Sequence, residues 1–179
     1  MSQIKYVDPI ATLVMEKMEL YGPKELKGKY YYGTPMIVAQ NQLNLPAAFI
    51  SGGVDSVTET ETNSHDQSTL LYRLTVMIDM KEQWLTGKNR VGQEMLLHQL
   101  LIGRDSDFNM LGTSAADGRG SIEYVLRKHK VLDGEKRAYI DLGRGTIAHI
   151  RPNLEGRGRG MFLYEGVIEF AIVHNQLRP

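Results

Sequence analysis

The chain has 179 residues, 42% hydrophobic and 23% charged, with 21 lysines and arginines balanced by 21 acids and no cysteine. That length predicts one domain over residues 1–179 with enough apolar material for a core, and the even charge gives no global pull toward nucleic acid or a membrane surface. The lack of cysteine excludes disulfides and thiolate metal sites.

The opening MSQIKYVDPIATL lacks the basic-then-apolar plan of a signal peptide. No stretch reaches the ~18 apolar residues of a membrane-spanning helix. Eighteen glycines against six prolines imply many turns, so a neutral, intracellular, β-rich protein is expected.

Asp8 and Pro9 predict a helix start, one as N-cap and the other at the first helical position. Ile10, Leu13, Val14, Met18 and Tyr21 then fall along one face, until Gly22-Pro23 stops the helix. KYYYGTPMIVAQ, from Lys29 to Gln40, reads as two short extended pieces broken by Gly33-Thr34-Pro35.

The next stretch contains SGGVDS, Ser51 to Ser56, which is the spelling of the phosphate loop of ATP pyrophosphatases. Such a loop needs a helix to begin at once, because the helix N-terminus supplies unpaired amides and a favourable dipole to the anion. Here the chain continues as Val57-Thr58-Glu59-Thr60-Glu61-Thr62, whose threonines are stiff at χ1 and suit a strand. The motif is therefore read as a bent strand, with Gly52-Gly53 a bulge or a point of close approach.

From Ser68 to Met80, STLLYRLTVMIDM, the period is 2. Leu70, Tyr72, Leu74, Val76, Ile78 and Met80 share one face, and Leu71, Arg73, Thr75, Met77 and Asp79 the other. With Ala47 to Thr62 this predicts a long antiparallel hairpin with a polar tip at 63–67. Its 13-residue strand would reach roughly 40 Å, longer than a small domain requires. Because an isolated ribbon is marginal in water, its distal part is expected to lean on a partner.

Trp84 lies in a short segment that ends at Thr86-Gly87, and Asn89 can then cap a helix from Arg90 to Ile102. That helix is apolar over a broad face and is expected to pack on the sheet. Gly103 to Gly120 is a long irregular segment, and Ser121 caps a short helix that carries Ile122, Val125 and Leu126. Arg137 to Leu142 and Thr146 to Arg151 are short strands; Met161 to His174 is a long one with Tyr164, Ile168, Phe170 and Ile172 opposite Glu165 and Glu169.

Local chemistry is sparse. His65, His98, His129, His149 and His174 form no HExxH and no pair at helical spacing. His98, on an apolar helix, is expected in the core. Asp105 and Asp107 lack the further oxygens of a calcium loop. There is no GxSxG, and neither enzyme activity nor a cofactor or metal is expected. Arg119, Arg144, Arg157 and Arg159 sit among glycines; they are placed either against passing DNA phosphates or, as preferred, in solvated loops or in contact with a neighbour's acids such as Glu165 or Glu169. Both faces of the long strands carry apolar residues, so another copy of the chain is expected to cover one of them. Head-to-tail contacts that close by rotation would give a ring.

The segments DPIATLVMEKMELY, LPAAFISGGVDSVTETET with STLLYRLTVMIDM, RVGQEMLLHQLLIG and GVIEFAIVH come in an order that resembles bacteriophage tail terminator proteins, also called tail-completion or neck proteins. The resemblance covers about half the chain and lies in pattern, since that family has no catalytic motif. It implies an α/β (α+β) fold, a mostly antiparallel sheet with a long hairpin flanked by two or three helices. It also implies a homohexameric ring in the virion, assembled in the host cytoplasm, that ends tail-tube polymerisation and joins the tail to the head connector. Its partners would be further copies, the tail tube protein and the connector, with non-specific DNA in the lumen and no membrane. Tail tube and connector proteins are related alternatives, and an adenylating enzyme using SGGVDS is the alternative of another class. The residues expected at interfaces are Glu59, Glu61, His65, Asp66, Arg144, Arg157 and Arg159.

Overall fold

A computed structural model describes residues 8–33, 45–60, 65–79, 90–103, 119–134, 138–141, 147–153 and 163–177. In chain order these form helix α1 (Pro9–Tyr21), a 3-10 turn (Lys24–Leu26), β1 (Tyr30–Tyr32), β2 (Ala47–Thr60), β3 (His65–Asp79), α2 (Arg90–Leu101), α3 (Ile122–Lys128), β4 (Ala138–Asp141), β5 (Ile147–Asn153) and β6 (Leu163–Leu177).

The helix ends are set by side-chain chemistry. Asp8 accepts from the amides of Ile10 and Ala11 at 2.9 and 3.3 Å, and Pro9 comes next to it. Gly22 closes α1 by donating to the Met18 carbonyl at 2.7 Å. Ser121 caps α3 by accepting from the Tyr124 amide at 3.2 Å, and its hydroxyl donates to the Ile102 carbonyl at the end of α2. A helix of seven residues does not hold by propensity alone. It is anchored by Ile122, Val125 and Leu126, each at most 1% exposed.

The sheet runs β1-β2-β3-β6-β4, with β5 also on β6. β4 pairs with Ala171 to His174 and β5 with Leu163 to Glu169, so the two short strands lie end to end along one edge of β6, opposite β3. All pairings are antiparallel except β1 with β2. The fold is thus α+β, with a mostly antiparallel six-stranded sheet and a long β2–β3 hairpin.

One face carries the core. Ala48 and Ile50 of β2, Tyr72, Leu74, Val76 and Ile78 of β3, and Ile168, Phe170 and Ile172 of β6 pack with residues from all three helices. Alternation alone selects these positions on each strand. Gly166 lets α2 approach: a Cβ there would lie 2.1 Å from Leu101 Cδ1. Each fully buried aliphatic side chain contributes about 1.5–3 kcal/mol, so this face holds the domain together. The exposed Arg73–Glu169 pair across β3 and β6 adds less than ~1 kcal/mol.

One expectation changes here and another is narrowed. Met77, Val167 and Val173 on the opposite face are already 4–5% exposed within one chain; of the large apolar residues described there, Leu71 stays open at 45% and Tyr31 at 38%. Those three side chains are thus covered within one chain, while Leu71 and Tyr31 remain open. The hairpin, moreover, is not a free ribbon. β6 pairs with β3 along its whole length, from His65↔Leu177 to Asp79↔Leu163, because two strands of 15 residues leave neither end of β3 without a neighbour.

Candidate assembly interface

The hairpin's distal end is the candidate site. The row Thr58, Ser68, His174 and Ala138 is the last in which a buried side chain is described, Ser68 at 6% and Ala138 at 2%. Beyond it β3 and β6 continue for three more rows, His65 to Gln67 against Asn175 to Leu177, with Glu59 and Thr60 of β2 alongside. At the usual rise this end passes the core by about 10 Å. Apart from Leu177 its residues are polar: Glu59, Gln67 and Asn175 share a row, and Gln67 Nε2 donates to Asn175 Oδ1 at 3.2 Å. Pairing runs across β2, β3 and β6 in two of these rows and across β3 and β6 in the third, so the end is a built ladder.

Ser51 to Ser56 lies inside β2, which continues to Thr60 with no helix after the motif. The register slips between Gly52 and Ser56: Gly52 faces Tyr72 and Ser56 faces Leu70, so three residues oppose Leu71 alone. Both glycines have positive φ, 128° and 78°. A Cβ on Gly52 would stand 2.3 Å from the Leu71 carbonyl oxygen; one on Gly53 would meet Asp8 Oδ2 at 2.7 Å and the Tyr72 hydroxyl at 2.8 Å. The expected bulge is present, and Gly53 makes room for a hydrogen bond beneath it, from the Tyr72 hydroxyl to Asp8 Oδ2 at 2.6 Å.

Arg119 has a structural task. Its guanidinium donates to the carbonyls of Glu19 and Gly22 at 2.9 and 3.1 Å, which supplies partners to the open C-terminus of α1. Glu19 in turn accepts from the Gly28 amide at 2.7 Å. Nearby, the Tyr30 hydroxyl is buried without a partner among the described residues. Burial raises its pKa, Glu19 adds to the rise, and Arg119 opposes it.

His129 stacks on Tyr21 with ring centroids 3.8 Å apart and planes within 8°. Burial, with Lys17 and Lys128 close by, lowers its pKa below the usual 6.5. His98, expected in the core, is exposed on α2, because Leu97, Leu100 and Leu101 take the buried positions.

Of the residues expected at interfaces, Glu59, His65 and Asp66 lie on the distal ladder, where Asp66 faces Thr60 on β2 and Gln176 on β6. Glu61, Arg144, Arg157 and Arg159 lie outside the described residues, as do Asp105, Asp107 and Trp84. Of the acids expected to meet the arginines, Glu169 accepts from Arg73 Nε at 2.9 Å, and Glu165 is 7% exposed. Among the described residues no group of three or more His, Asp or Glu could hold a metal ion, and no helix is long and apolar enough to cross a membrane. The Tyr72–Asp8 and Arg119–α1 contacts had no local signal, since their partners are 64 and about 100 positions apart.

Among the described residues the architecture is two-layer α+β, in which three helices back one face of a mostly antiparallel sheet. No protein-family model matches the chain, and no curated protein matches it either.

Proposed function

We propose that the protein is a structural subunit of a phage tail or neck, forming a closed ring that ends tail-tube polymerisation and joins the tail to the head connector. The observation that carries this reading is the end of β2, β3 and β6, whose strand pairing continues past the row of Ser68 and Ala138, the last in which a buried side chain is described. A domain with no outward contact to make has no use for paired strands beyond its core. The order of helix, long hairpin, helix across the sheet and final long strand supports the same reading.

An adenylating enzyme finds less support. A phosphate-binding loop relies on a helix N-terminus, and Ser51 to Ser56 runs within a strand, with Gly53 close against the Asp8–Tyr72 hydrogen bond. Calorimetry with ATP and Mg²⁺, run beside native mass spectrometry, tests both readings. A ring of identical subunits without bound nucleotide is expected. Micromolar ATP binding abolished by Asp55→Ala would favour the enzyme instead.

A further inference from the structure

We draw no further inference here: the strongest candidate, the open strip on the sheet face away from the helices, where Leu71 and Tyr31 stay 45% and 38% exposed on either side of the Arg73–Glu169 row, carries nothing, because nothing in the structure shows what covers it.

Discussion

Tyr72 in the middle of β3 donates a 2.6 Å hydrogen bond to Asp8 Oδ2, while Asp8 Oδ1 caps α1. One carboxylate thus ties the first helix to the sheet's central strand, under the two-glycine bulge. Tyr72 is 2% exposed, and a hydrogen bond to a charged acceptor is worth about 1.5–3 kcal/mol. Tyr72→Phe is expected to cost ~2 kcal/mol in urea denaturation. Asp8→Ala should cost more, since the cap is lost as well. A loss below ~0.5 kcal/mol for Tyr72→Phe would show that the pair contributes nothing to stability.

The bulge gives a second expectation. Gly52→Ala places a Cβ against a backbone oxygen at a φ of 128°, so the strand itself must shift; a cost above ~2 kcal/mol is expected. Gly134→Ala, where nothing lies within 4 Å, should stay within ~0.5 kcal/mol. Equal effects at the two positions would mean that the Gly52 conformation is not needed.

At Gly166 the obstacle is the end of a side chain, Leu101 Cδ1. Leucine can turn partly aside, so Gly166→Ala is expected to cost about 1–3 kcal/mol. Combining it with Leu101→Ala should recover part of that loss, and strict additivity of the two would place the strain elsewhere.

His129 sets a pH dependence. Its pKa is lowered in the folded protein by burial, then by Lys17 and Lys128, so the unfolded chain binds the proton more readily. The stability linked to this residue is complete above the ordinary value of 6.5 and is lost as pH falls through the folded pKa. His129→Phe keeps an aromatic ring against Tyr21 and removes the titration. The variant should show a shallower loss of melting temperature below pH 6.5 than wild type. Parallel curves for the two proteins would assign the acid sensitivity to other groups.

Much of the fold was legible because its signals are local. Asp8-Pro9 and Gly22 set the bounds of α1, Ser121 marked α3, and period-2 alternation in Ser68 to Met80 and Met161 to His174 assigned the right residues to the core face. The SGGVDS segment was read correctly because threonine and glutamate come after it where an apolar helix face should be. The full-length β3–β6 pairing was missed, since register between strands about 100 residues apart leaves no mark in either one. That omission made the hairpin look like an unsupported ribbon. The tasks of Arg119 and Tyr72 were hidden for the same reason, and His98 was misassigned because an apolar helix has an exposed side as well as a buried one.

Closure of this domain into a ring through its distal ladder is the proposal on which the functional reading depends. Native mass spectrometry of the wild-type protein, set beside a variant shortened from Thr60 through Ser68, tests it without any partner protein. A hexamer is expected for the wild type, and a folded, largely monomeric chain for the shortened variant. A wild type that remains monomeric at high concentration, or a shortened variant that assembles as well as the full chain, would contradict it.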